Sequence, residues 1–311
     1  MKEDDDFLED FPIAYSIDNA ILMHRDAHFG GDFDVMLDYY KKEGKGVYKD
    51  FDIERIQELA HLQKSSGKDL APLMLSGAEA EKVASARKAY QDLRELCENK
   101  NAKVTIPRLI AELILAENEE IAQSVQAVVA EKTAIVPALI DLMRSEEFHD
   151  PLFPGYGEAP ALAAKCLGMI GDKRAIISLF ESIGEEDFFN EDIIFDALKA
   201  IGKPAKEFLL RVLHGQPITG DNDRAAVALL EFKDDSEVSS ACLKMLQEID
   251  LKKYTPLATY LVLACEGLST AQERQTLLEL AQKPTTPQSL RLDIDTLNHI
   301  WKGTGSIRQI I

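Results

Sequence analysis

The sequence predicts an all-α fold built as an α-α superhelix, and three observations carry that prediction. Residues 161–172, 192–203 and 223–234 repeat one pattern at a 31-residue step, with Leu167, Leu198 and Leu229 in register and Ile170, Ile201 and Phe232 in register. Apolar residues inside each unit recur at helical spacing. A second apolar segment accompanies the repeats, opening with Val104-Thr-Ile-Pro, then Ala134-Ile-Val-Pro, then Arg174-Ala-Ile-Ile. A fixed period in this range means stacked helix pairs, each burying its apolar face on its neighbours.

Taken in order, first helices are expected near 105–116, 135–146, 174–184, 205–214, 236–248 and 270–282. Second helices are expected near 118–130, 158–170, 190–201, 222–231, 255–266 and 287–300. Pro107 and Pro137 fall in first turns, where a missing N–H costs nothing. Gly171, Gly202, Gly215 and Gly267 fall in turns. Ala163, Ala164, Ala197, Ala225, Ala226 and Ala228 permit close helix approach. The step between the second and third of these first helices is lengthened by the loop at 147–160, which holds Phe148, His149, Phe153 and Tyr156 among Pro151, Pro154 and Pro160.

The unit Ala163-Ala-x-x-Leu-Gly-x-Ile-Gly-Asp172, followed by Arg174-Ala-Ile-Ile-Ser-Leu, resembles a HEAT repeat of the short bacterial type. The resemblance covers roughly residues 104–301 and is weakest in the last two units. The basic residue usual in the family's second helix is matched only loosely, by Lys165. The resemblance implies about six helical hairpins with second helices lining a concave face used to bind protein. It implies no particular activity.

Residues 1–100 do not repeat. An acidic tail (1–12) precedes a helical N-terminal region (13–102), the repeats (103–302) and a C-terminal tail (303–311). Helices are expected near 16–29, 33–43, 51–64 and 78–98, the first with Ser16 as N-cap and Gly30-Gly31 as stop. Solenoids need atypical end units, so a cap is the main reading of this region and a separate functional domain the alternative. Trp301, the only tryptophan, is expected to seal the other end.

The net charge of −19 repels phosphate backbones and anionic lipid, so nucleic acid and membrane are not expected partners. A basic protein or peptide fits that field, and so does simple solubility. Cys97, Cys166, Cys242 and Cys265 lie in apolar helical patterns without a C-x-x-C pair, which fits free buried thiols in a reducing compartment. The acidic start is the opposite of a signal peptide, and no apolar run is long enough to span a bilayer. A cytoplasmic protein is expected, monomeric or weakly self-associating.

His24 and His28 stand i, i+4 on the first helix, with Asp32 and Asp34 after the Gly30-Gly31 stop. Metal binding needs three or four converging ligands, and Arg25 occupies the position where a zincin requires Glu. No phosphate-binding loop or nucleophile elbow is present, and Gly44-Lys-Gly46 reads as a helix stop. Deoxyhypusine hydroxylases, which are HEAT proteins, use His-Glu pairs; this chain has none. The expectation is therefore a non-enzymatic scaffold with no cofactor. A bilin-lyase-like protein, or an enzyme with a metal near His24 and His28, is the alternative.

The partner-binding residues expected are Phe148, Phe153 and Tyr156 on the loop, with Leu162, Lys165, Ile193, Asp196, Arg224 and Val227 on the second helices. Insertions in repeats usually map to one face, and aromatics there serve as anchors. The other reading of the loop is that its rings fold back and cover the adjacent helices.

Overall fold

A computed structural model describes residues 15–98, 105–184 and 191–303. Among these residues the structure is helical and contains no strand. The acidic tail, the turn carboxylates Glu185 to Asp187 and nearly all of the C-terminal tail lie outside the described residues. No described helix is long and apolar enough to cross a membrane. The chain divides into two compact units at Ala163/Ala164.

The first unit holds α1 (Tyr15–His28), α2 (Phe33–Lys41), α3 (Ile53–Ser66), α4 (Ala71–Met74), α5 (Gly77–Glu98), α6 (Ile106–Leu115), α7 (Glu119–Ala130), α8 (Val136–Met143) and α9 (Glu146–His149). It ends in the first turn and a half of α10 (Ala159–Ile170). The helix α1 begins at Tyr15, which places Ser16 inside its first turn rather than at its N-cap. Gly30 and Gly31 end it with φ of 66° and 84°, a conformation that costs glycine nothing. Asp32 and Asp52 cap α2 and α3 by accepting backbone N–H groups.

The core of α1–α4 is Ile21, Leu22, Phe29, Phe33, Met36, Tyr40, Ile56, Leu59 and Leu70. Two buried ion pairs run through it. Arg25 is fully buried and donates to Asp26 at 2.7 Å, Gln63 at 2.5 Å and Asp69 at 2.9 Å, with its guanidinium over the Phe33 ring. Asp18, also buried, is gripped by Arg55 through two contacts of 2.8 and 2.7 Å. Within this unit α6 lies on α5, and the segment after α9 folds onto α1 and α5.

The second unit continues α10 and adds α11 (Ile176–Glu181), α12 (Glu191–Ile201), α13 (Lys203–Leu213), α14 (Gly220–Leu229), α15 (Ser236–Glu248), α16 (Thr255–Ala264), α17 (Ala271–Gln282) and α18 (Gln288–Trp301). These helices occupy the spans expected from the repeat. Leu167, Leu198 and Leu229 are all fully buried. Buried Asn222 caps the end of α13, donating to Val212 O, Leu213 O and Gly215 O, while its own carbonyl accepts from Thr219 N–H.

Within the second unit, polar side chains about one period apart in sequence meet. Lys199 meets Glu231 at 2.8 Å, Lys206 meets Asp235 at 2.6 Å and Glu237 at 2.7 Å, Lys233 meets Glu266 at 2.8 Å, and Ser240 donates to Glu273 at 2.5 Å. The partners in these five contacts stand 29–33 residues apart. Solvent-facing pairs of this kind add little stability each, but they mark register. Trp301 is the last residue of α18; its indole N–H donates to Glu266 O at 2.8 Å and Arg274 lies over the ring.

Glycine is required at one helix contact. A Cβ on Gly168 of α10 would stand 2.6 Å from Ala197 Cα of α12, closer than real Cβ atoms approach. Gly168→Val is expected to destabilise by about 1–3 kcal/mol in urea unfolding, because overpacking forces the helices apart. Gly220→Ala, where a Cβ meets open space, should change stability by less than about 0.5 kcal/mol.

Candidate functional site

The densest chemistry of the first unit lies where α1, α2, α5 and the turn after α6 meet the 147–157 loop. His24 and His28 occupy adjacent turns of α1, and their ring centroids are 4.4 Å apart. Rings of Phe29, Tyr40, Tyr48, Phe51 and Tyr156 surround His24 at 5.5–6.5 Å. Tyr90 and Tyr156 flank His28 at 5.6 and 4.6 Å.

The hydrogen bonds fix both tautomers. His24 Nε2 is 3.1 Å from Gly46 O, and His28 Nε2 is 3.1 Å from Pro151 O. A carbonyl only accepts, so each Nε2 carries the proton. His28 Nδ1 is then an acceptor, and the Tyr90 phenol donates to it at 2.7 Å. Both nitrogens of His28 and one of His24 are committed to protein groups. Among the described residues, no group of three or more His, Cys, Asp or Glu side chains converges as a metal would require.

Burial, reinforced by the neighbouring His28 ring, drives His24 down from the ordinary 6.5 to about 3 against the opposing Gly46 bond. Burial likewise drives His28 down to about 4, against the Pro151 bond and the Asp150 charge. Both imidazoles are therefore neutral at pH 7.

A second cluster adjoins the first. Glu117 accepts from Tyr39 OH at 3.1 Å and from Tyr156 OH at 3.3 Å, and Gly46 N–H donates to the Tyr39 oxygen at 3.3 Å. Burial raises the Tyr39 and Tyr156 phenols. The Lys45 ammonium is buried without a hydrogen bond and faces Glu158 at 3.6 Å. Burial lowers it, with Glu158 and then Glu117 opposing. Gly44 and Gly46 have no room for a Cβ, because the rings of Tyr39 and Tyr156 lie against their backbone. The Gly44-Lys-Gly46 segment is thus more than a helix stop.

The loop reaches this site by an unusual turn. Gly155, Tyr156 and Gly157 all have positive φ, at 87°, 57° and 80°. For tyrosine that conformation costs about 1 kcal/mol or more. It is held by the ring contacts of Tyr156. Phe153 and Leu152 are buried with Ala27, Val83 and Ala86, and Phe148 packs on the same cluster. Lys82 of α5 pairs with Asp150. The loop aromatics expected as partner anchors therefore lie against α1 and α5, the covering arrangement. Little of Phe153 is left for a partner to touch.

The residues expected on the second helices present more surface. Lys165 and Asp196 are exposed, and Leu162, Ile193, Arg224 and Val227 are half-buried, with Arg224 3.6 Å from Asp221. Met169 and Ile177 are exposed apolar residues of α10 and α11 that the repeat pattern did not single out. Sequence reasoning also missed Tyr39, Lys45, Tyr90 and Glu117, which come from separate segments of the first unit. The paired glycines around Lys45 were the available signal. No protein-family model matches the chain, and no curated protein matches its sequence.

Two outcomes follow from this geometry. Phe153→Ala should destabilise by about 3–5 kcal/mol in urea unfolding, as for a buried ring; a loss near zero would mean the ring is free. Both histidines have folded values below the unfolded one, so the unfolded chain binds more protons in acid. Their contribution is fully present above about pH 6.5 and is lost as pH falls toward 4, by about 1.4 kcal/mol per pH unit for each. His28→Gln, which keeps a donor for Pro151 O, should flatten that slope in unfolding titrations.

Proposed function

We propose that the chain is a non-enzymatic scaffold of HEAT-like hairpins that holds a protein or peptide partner, with Lys165, Ile193, Asp196, Arg224 and Val227 of the second unit as its contact row. The observation that carries this reading is the ladder of contacts 29–33 residues apart from Lys199 to Glu273, which fits units stacked in one register. Stacked units offer equivalent positions side by side, and that is how solenoids build extended binding surfaces. The contact row stands at equivalent positions of α10, α12 and α14. The net charge of −19 favours a basic partner. The loop aromatics belong to the folded interior of the first unit in this reading, and the row on the second helices carries recognition.

The test uses the full chain as bait in lysate of the source cell, beside an Ile193→Asp/Val227→Asp variant that unfolds at the same urea concentration. The expected result is a basic protein retained by the native chain, lost with the variant, and released by added salt. Equal retention by both baits would place recognition elsewhere. Retention of nothing would remove the scaffold reading.

A further inference from the structure

The 150–157 segment crosses the first unit like a strap, and its attachments converge on one pair of side chains. His28 donates to Pro151 O and stacks on Tyr156, while His24 fills the space behind it and donates to Gly46 O in the backbone that Tyr156 packs against. Further ties are the Tyr156 phenol donating to Glu117, the Lys82–Asp150 pair, the burial of Leu152 and Phe153 and, just past the segment, the Lys45–Glu158 pair. We infer that the segment from Asp150 to Gly157 is an acid-released strap: protonation of the His24–His28 pair detaches it from α1 and α5 and uncovers Ala27, Val83 and Ala86.

The argument is one of donors and acceptors. A proton added to His28 Nδ1 meets the Tyr90 O–H that now donates there, so the phenol must turn away and find another acceptor. A proton added to His24 goes to Nδ1, inside a cage of rings, and the centroid of the second imidazole lies 4.4 Å from that of the first. Two imidazolium ions at that separation repel, and the cage withholds water from both.

The charged groups around the pair offer no easy compensation. From α1 itself, Asp26 is held by Arg25. From α2 and the turn after it come Tyr39, Tyr40, Lys45 and Tyr48, which bring one cation and no carboxylate; Asp50 reaches Tyr48 only through its field. From α5 come Tyr90, Lys82, Arg87 and Arg94, with Glu95, which accepts from Gln91, and the exposed Glu98 at the helix end. From the turn after α6 comes Glu117, engaged by two phenols, and from the strap Asp150 and Glu158, each facing a lysine. Release also relieves Tyr156, which the strap holds at positive φ. Release takes Pro151 O and the Tyr156 ring away from His28, which then meets water and takes a proton at ordinary pH, while His24 keeps its cage of Phe29, Tyr40, Tyr48 and Phe51.

Hydrogen exchange of the full native chain at pH 7 and pH 5, corrected for the intrinsic exchange rate, tests this. Protection of the amides of Phe153 and Tyr156, which donate to Asp150 O and Phe153 O, is expected to fall about twenty-fold as His28 is released, while α13–α18 keep theirs. In His28→Gln the fall should shrink by about that factor. Unchanged strap protection at pH 5 would overturn the inference. So would an equal loss in α13–α18, which means global unfolding, or an undiminished response in a folded His28→Gln. Should that variant not fold, the NMR titration of both native imidazoles decides: midpoints that coincide with strap exchange support it, and midpoints that do not refute it.

Discussion

Burying a guanidinium sets the terms for the first unit. Arg25 sits at no exposure in the middle of α1, and an uncompensated charge there would cost several kcal/mol. It is compensated because α3 supplies Gln63 and the turn before α4 supplies Asp69, while Asp26 lies beside it and Phe33 takes its face. One side chain therefore fixes the position of α1 against two other elements at once. The Asp18–Arg55 pair does the same two turns earlier and prevents α1 from rotating. With α1 so held, His24 and His28 have one direction in which to point. The aromatic cage, the strap and the Glu117 cluster all depend on that direction.

Helix positions were legible because local rules decide them. A 31-residue register, prolines in first turns and glycines after last turns placed most helices beyond residue 105 within a few residues of the spans observed, although the helix expected over 135–146 ends at Met143. Cap residues at Asp32, Asp52, Asp235 and Thr270 act within three residues of themselves and can be recognised from the string. The candidate site was only half legible. The histidines stood out by their spacing, whereas Lys45, Tyr90 and Glu117 are brought together from segments dozens of residues apart, and no local signal announces that. The loop aromatics were visible as a cluster, and both an anchor and a cover were consistent with their composition. What decided between them was the backbone of Gly155 to Gly157, whose positive φ turns Tyr156 inward.

Contacts between residues 29–33 apart in the second unit use several pairings: lysine–glutamate, lysine–aspartate and serine–glutamate. The fully apolar positions are less free. Leu167, Leu198 and Leu229 are fully buried, and Ala197 leaves Gly168 no space for more than a hydrogen atom. The pattern is therefore tightest where helices touch and loosest on the surface proposed to meet a partner.

The distribution of sulfur makes the chain a convenient object for spectroscopy. Cys166, Cys242 and Cys265 are buried, with thiols raised by that burial, and only Cys97 near the end of α5 is partly open to solvent. A maleimide dye under brief, mildly alkaline conditions would attach there first. It would ride on the same helix as Lys82 and Tyr90, so a fluorophore could follow the aromatic cage in the native chain without introducing or removing any cysteine.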